Sequence, residues 1–143
     1  MTVETILKAK GNEVVTVPPS ANVETAASIM KQRTIGALVV LEEGAVVGIC
    51  FERDIVAAIG DHGEKAAHME VSEVMTRNVV SCTSKDSLKK VMQMMTQYRT
   101  RHLPCIDGGK LTGLVSIGDI VKNRVEELEL ESGVLRDAYI ARG

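Results

Sequence analysis

Two acidic side chains recur in matched surroundings. Gly48-Ile-Cys-Phe-Glu-Arg-Asp54 and Gly113-Leu-Val-Ser-Ile-Gly-Asp119 each run from an apolar extended stretch into the expected start of a helix. An ionised Asp only accepts hydrogen bonds, and its two oxygens suit a vicinal diol such as a ribose 2′,3′ pair. Free N–H groups at a helix start attract phosphate, and the Ser116 hydroxyl adds a donor. A purely structural role fits the same residues, because Asp is a preferred helix N-cap. A single copy reads best as a cap. Recurrence at matched positions tips the pair towards ligand contact.

A second cluster, Arg99-Thr-Arg101-His102-Leu-Pro104, leads into an extended stretch. Arg101 suits phosphate through its planar guanidinium, or it belongs to a solvated charged surface. The matched segment, Thr34-Ile35-Gly36-Ala37, has no charge. Ile35 and Gly36 offer an apolar wall and an open backbone edge for a flat base, or an ordinary core residue and turn. The two copies are therefore complementary: one suits a base, the other sugar and phosphate.

Catalytic constellations are absent. Cys105 and His102 are three apart on an expected strand and point to opposite faces, against a Cys–His couple. His62 and His68 lack metal-ligand spacing, no Cys pair is close in sequence, and no GxxxxGK[ST] loop occurs. Met92, Met94 and Met95 read as core filler on a helix. The expectation is a binding protein, not an enzyme, with no metal.

The elements that must position these residues come as a duplication. Shifted by 65 positions, residues 14–56 fall on 79–121 without a gap. Identities include Val14/Val79, Met30/Met95, Leu38/Leu103, Gly48/Gly113 and Asp54/Asp119; there are ten, against roughly three by chance. Two units of this length suit one duplicated globule, not a solenoid. Each opens with an extended piece, Val14–Val17 or Val79–Cys82. A helix follows, with apolar residues at 23, 26, 27 and 30 or at 88, 91, 92 and 95, one stripe on one face. Hairpins pair Ala37–Leu41 with Ala45–Cys50 and His102–Ile106 with Lys110–Ser116, across Gly-bearing turns. Second helices are expected to open at Asp54 and Asp119. Val71–Met75 reads as a short helix in the link, and Val3–Leu7 matches it in spacing. By chain order, 1–65 is the first repeat with its lead-in, 66–125 the second, and 126–143 a helical tail.

Composition bounds the rest. The 143 residues carry Lys+Arg 17 and Asp+Glu 19, a net charge of −2, with 45% hydrophobic residues. Near-neutral charge gives no bulk attraction to nucleic acid or anionic lipid. Phe51, Tyr98 and Tyr139 are too few to stack single-stranded bases. Apolar runs are too short to span a bilayer, and no leader pattern is visible. Cys50, Cys82 and Cys105 suit buried thiols in a reducing cytoplasm. In the tail, Val121, Val125 and Leu128 share helical spacing, followed by Val134, Leu135, Ala138 and Tyr139. Both stripes suit either the chain's own core or a dimer contact.

The duplicated unit, its Gly-to-Asp ending and the His102-Leu103-Pro104 strand start together resemble a pair of CBS (cystathionine-β-synthase-type) domains, a Bateman module. The resemblance implies an α+β fold of two pseudo-symmetric β-α-β-β-α repeats. The family's G-h-h-S/T-x-x-D ending is complete in the second copy, while the first keeps only Gly48 and Asp54. The likeness covers nearly the whole chain, is similar to small stand-alone bacterial members, and leaves no separate catalytic domain expected. It implies a cytoplasmic regulatory homodimer that binds an adenine-containing ligand and acts on an unidentified protein. AMP, ADP and ATP are the first such ligands, with NAD and S-adenosylmethionine in some members; no catalytic cofactor is implied.

Carried over by position, Asp119 would hold ribose while Ser116 and Arg101 hold phosphate. Thr16, Ala21, Ile35 and Gly36 would form the adenine slot, with Ala37, His102 and Pro104 beside them. The pseudo-symmetric site would use Asp54 for ribose, with Ser81, Thr100 and Arg101 nearby. There Phe51 removes a hydroxyl donor and Asp86 replaces the small Ala21, with Arg53 as partial compensation, so the Asp119 site is expected to be the better one. The competing reading is a ligand-independent dimerisation or adaptor module whose Asp pair only caps helices.

Overall fold

The structure is a computed structural model that describes residues 1–142, with side chains described through residue 133. Its mixed α+β chain folds as two similar halves. The expected stripe Val134, Leu135, Ala138 and Tyr139 lies outside the described side chains.

Each half is organised by a β-hairpin. β2 (Ala37–Glu42) pairs antiparallel with β3 (Ala45–Phe51), and β4 (His102–Asp107) with β5 (Lys110–Ser116). The turns place Glu43 and Gly44 at φ 50° and 81°, and Gly108 and Gly109 at 56° and 80°. Two consecutive left-handed residues match the twist of a tight hairpin. Both ladders shift register at matched points, Val40/Leu41 and Cys105/Ile106.

The extended lead-in strands are shorter than expected. β1 (Thr16–Val17) lies parallel to β2, but its counterpart is a single parallel bridge from Cys82 to Cys105. Pro104 accounts for the difference. Its counterpart Val39 donates its N–H to the Val15 carbonyl at 3.4 Å, and proline has no N–H to donate. What survives is Cys82 N–H to the Pro104 carbonyl at 2.9 Å and Ile106 N–H to the Cys82 carbonyl at 2.8 Å.

α2 (Val23–Arg33) and α5 (Leu88–Gln97) follow these stretches, capped by Asn22 and Ser87 side chains that accept N–H bonds from Thr25 and Lys90. Their apolar stripes are narrower than the sequence suggests. Val23, Ala26 and Met30 are buried, as are Leu88, Val91 and Met95, while Met92 is 46% exposed and is not core filler. Thr34 and Arg99, at matched positions, both turn the chain out with positive φ, 55° and 51°.

The helices after the hairpins, α3 (Glu52–His62) and α6 (Ile117–Arg142), begin two residues earlier than expected. Asp54 and Asp119 therefore stand at the third helical position. Val121, Val125 and Leu128 on α6 are exposed, as are Val56 and Ile59 on α3, so they do not cover the chain's own core. A 3₁₀ helix (Gly63–His68) and the short α4 (Val71–Val74) complete the link.

α1 (Val3–Lys10) and α4 are exchanged between halves. Val3, Ile6 and Leu7 sit in the core of the second half with Leu88, Val91, Leu103 and Val115. Val71 and Met75 sit in the core of the first half with Val23, Met30, Leu38 and Val40. Matching backbone bonds fasten both helices. Val3 and Glu4 donate to the carbonyls of Asp86 and Ser84 at 2.9 Å, and Val71 and Ser72 donate to those of Ala21 and Pro19 at 2.7 and 3.0 Å. The pairing of Val3–Leu7 with Val71–Met75 by spacing is thus a pairing of roles.

The repeated glycines make this docking fit. A Cβ on Gly113 would stand 2.5 Å from Leu7 Cδ2, and one on Gly48 2.5 Å from Met75 Sδ. A side chain at either position would force the Leu7 or Met75 side chain to repack. Gly113→Ala is expected to lower the unfolding free energy by about 1–3 kcal/mol in urea titration. A loss below about 0.5 kcal/mol, the range of an ordinary surface change, would contradict the fit.

Candidate functional site

Both acidic residues are tied to the first turn of their own helix. Asp119 Oδ2 accepts the Ser116 N–H at 2.9 Å, and Ser116 Oγ accepts the Asp119 N–H at 3.2 Å, a reciprocal capping box. Asp54 Oδ2 accepts the Phe51 N–H at 2.9 Å, but Phe51 has no side-chain acceptor to return the bond. The hydroxyl missing from the first copy thus leaves half a box.

The exchanged helices supply the remaining partners. Lys10, the last residue of α1, donates to Asp119 Oδ2 at 2.7 Å and to the Leu114 carbonyl at 2.8 Å. Thr76, just past α4, donates its hydroxyl towards both oxygens of Asp54, at 3.2 and 3.1 Å. One carboxylate is therefore paired with a cation and the other with a neutral hydroxyl. Burial alone would raise the Asp119 carboxyl, but the Lys10 ammonium and the Ser116 N–H outweigh it and hold it below the usual range.

A cleft of about 350 Å³ opens between the halves, on the side of the incomplete box. Its walls are Ile49 and Phe51 from β3, Val79 and Val80 from the second lead-in, and Tyr98, Thr100 and His102 before and at the start of β4. Arg53 also lines it. The guanidinium lies 4.4 Å from the Phe51 ring centroid and donates to the Arg99 carbonyl at 3.4 Å. The Phe51 and His102 rings are 6.2 Å apart at 47°. Burial pushes His102 below the usual histidine range despite Asp119 nearby, so its imidazole is neutral at neutral pH. Thr100 is buried and donates its hydroxyl to the His102 carbonyl at 3.0 Å. The surroundings are apolar walls, aromatic rings and one exposed cation, suited to a flat ring carrying an anionic group.

The expected site residues divide accordingly. Arg53, Thr100 and His102 line the cleft, and exposed Ser81 follows Val80. Asp54 is outside the lining and reaches it through Thr76. Ala37 is buried with Ile49, Phe51 and Val79 behind the cleft wall. Thr16 is exposed, and Ile35 and Ala21 are half-buried against the first core. A Cβ on Gly36 would stand 3.5 Å from both the Glu52 carboxyl and the His102 ring. Pro104 is fully buried, and exposed Arg101 uses its carbonyl to accept the Ile117 N–H at 2.8 Å. Cys105 faces the core and His102 the cleft, as the strand alternation implies.

Lys10, Thr76, Asn78 and Tyr98 are not legible as site residues in the sequence. Tyr98 carries one faint signal, an aromatic ring where the first copy has Arg33. The three thiols are buried and free; burial pushes Cys50 and Cys82 up to about 12. Among the described residues no cluster of His, Cys, Asp or Glu could hold a metal ion, and no helix is long and apolar enough to cross a membrane.

Known proteins share this arrangement. The family described as the CBS domain matches twice, over residues 5–61 and 71–126. The CBS domain-containing protein YhcV of Bacillus subtilis (strain 168) is 37% identical over 113 residues, 79% of this chain and 80% of that one. The crystal structure of the CBS-domain containing protein ATU1752 from Agrobacterium tumefaciens superposes with a TM-score of 0.84 at 41% identity, covering 87% of this chain and 99% of that one. The CBS domain pair of protein MJ0100, solved in complex with 5-methylthioadenosine and S-adenosyl-L-methionine, superposes with a TM-score of 0.79 at 25% identity, covering 89% and 98%.

The lowered Asp119 pKa fixes a pH dependence. A carboxyl held below its unfolded value of about 3.9 adds stability above that pH and loses it as pH falls through the folded value. Wild type is therefore expected to exceed Asp119→Asn in urea midpoint at neutral pH, with the gap closing as the pH falls below the unfolded value of about 3.9 and on through the lowered folded value. A gap that stays constant down to that acidity would mean Asp119 contributes nothing through its charge.

Proposed function

The chain belongs to the CBS-domain family, carrying two such domains, and from this we propose that it is a regulatory protein binding an adenine-containing nucleotide between them. The carrying observation is the cleft where Arg53 from one half meets Thr100 and His102 from the other. Its apolar walls suit an adenine ring, Arg53 suits phosphate, and the Asp54 and Asp119 carboxylates suit ribose hydroxyls once their present partners give way. The adenosine ligands named for the MJ0100 pair support the ligand class. AMP, ADP and ATP are the first candidates, with NAD and S-adenosylmethionine as further ones. A ligand touching both halves ties them together and alters the surface offered to a regulated protein. The exposed apolar residues of α3, α5 and α6, among them Ile59, Met92 and Val125, suit a homodimer contact. Nothing in the reading needs catalysis.

One observation favours the rival reading of a ligand-free adaptor: both carboxylates already cap helices. A thermal-shift panel separates the two. Adenine nucleotide at about 100 times its dissociation constant adds roughly 2.7 kcal/mol and should raise the melting midpoint by several degrees. Arg53→Ala should lose most of that rise at the cleft, and Asp119→Ala should lose the contribution of the second corner. No rise with AMP, ATP or NAD in wild type would leave the adaptor reading standing.

A further inference from the structure

Two of the chain's three aromatic residues, Phe51 and Tyr98, line the cleft together with the His102 ring. The three rings are not equally available. The Arg53 guanidinium covers Phe51 at 4.4 Å from its centroid. The His102 ring stands 6.2 Å from that of Phe51, and its edge would meet a Cβ on Gly36 at 3.5 Å. Tyr98 is 51% exposed, and among the described residues no ring or cation pairs with it. An aromatic face left open beside apolar walls is a surface on which a flat base can stack.

The backbone ties this residue to both halves. Tyr98 follows the last turn of α5 and donates its N–H to the Met94 carbonyl at 2.9 Å. Arg99 then turns the chain at φ 51°, and its carbonyl accepts a bond from the Arg53 guanidinium at 3.4 Å. The cation of the first half therefore arrives one residue from the open ring of the second. A base on Tyr98 leaves the phosphate of the same nucleotide on the side of Arg53. The first repeat has Arg33 at the matched position, so the ring is not duplicated.

We propose that Tyr98 is the base-stacking residue of the cleft and sets a preference for purine over pyrimidine nucleotides. This rests on the nucleotide-binding reading above. Stacking grows with the number of atoms in contact, so a two-ring base gains more from Tyr98 than a one-ring base does. Arg53 reads the phosphate, which AMP and UMP share, and does not tell the two apart.

Isothermal titration with AMP and with UMP tests this on wild type, Tyr98→Leu and Tyr98→Phe. Wild type is expected to bind AMP more tightly than UMP. Tyr98→Leu should weaken AMP about tenfold or more, the worth of one stacked base, and lose most of the preference over UMP. Tyr98→Phe, which keeps a ring, should keep both. The chain has two tyrosines and no tryptophan, so Tyr139→Phe leaves Tyr98 as the sole tyrosine emitter, and saturating AMP should quench it. AMP binding that is unchanged in Tyr98→Leu, or that leaves the Tyr98 emission unquenched, would overturn the role of Tyr98, as would equal affinity of wild type for AMP and UMP, while nucleotide binding itself would stand. Should Tyr98→Leu fail to fold, the emission of Tyr98 under AMP still decides the matter. No AMP binding by wild type would overturn the nucleotide-binding reading instead.

Discussion

The close seating of a helix on a glycine, made twice, sets the geometry of this molecule. Leu7 lies over Gly113 and Met75 over Gly48, each at a distance that leaves no room for a Cβ. α1 fills the second half's core from the far end of the chain, and α4, which opens the second repeat, completes the first half's core, so each repeat's core takes in a helix from outside that repeat. The exchange makes the two halves interdependent. It also fixes what each crossing helix carries at its end, which is how Lys10 and Thr76 come to stand against Asp119 and Asp54.

From that scaffold the two halves diverge through single substitutions. Phe51 in place of Ser116's counterpart removes one side of a capping box, and its ring becomes part of a cleft wall on which Arg53 rests. Pro104 in place of Val39's counterpart removes one N–H and shrinks a parallel strand to a bridge. Lys10, in contrast to Thr76, puts a formal charge on one carboxylate corner. Pseudo-symmetry therefore describes the backbone and the core better than it describes the chemistry. The 350 Å³ cleft opens beside the altered copy, while the hydroxyl-bearing corner has a smaller crevice of about 130 Å³ lined by the bonded Lys10 and Asp119.

Burial also decides the charge state around the cleft. Burial keeps His102 neutral although charged groups stand near it, so the positive charge in the cleft lining comes from Arg53, which is exposed and rests on an aromatic face and one carbonyl. A cation held so loosely can turn towards an arriving anion with little reorganisation. Asp54 and Asp119, by contrast, are held by backbone N–H groups that fix their oxygens, which pre-organises them for any further donor.

The linear sequence was enough to establish the duplication, both hairpins with their turns, the helical stripes and the recurrence of Asp54 and Asp119. All of these are local patterns: periodicity, turn chemistry and residue identity at a constant offset. Through the family likeness it also named Arg53, Thr100 and His102 as candidate ligand residues, and the three line the cleft. It did not reveal where the helices start, since a cap and a third-position carboxylate use the same residue a few ångströms apart. Met92 likewise matches the buried stripe in spacing yet stays exposed, because nothing in a helical period says which side a neighbouring element covers. Only the tertiary structure decided which half each short helix serves, that Lys10 meets a carboxylate 109 positions away, and which side of the pair opens into a cleft. The physical reason is that such contacts are set by how two cores fill with side chains from distant segments, and no local spacing records that choice.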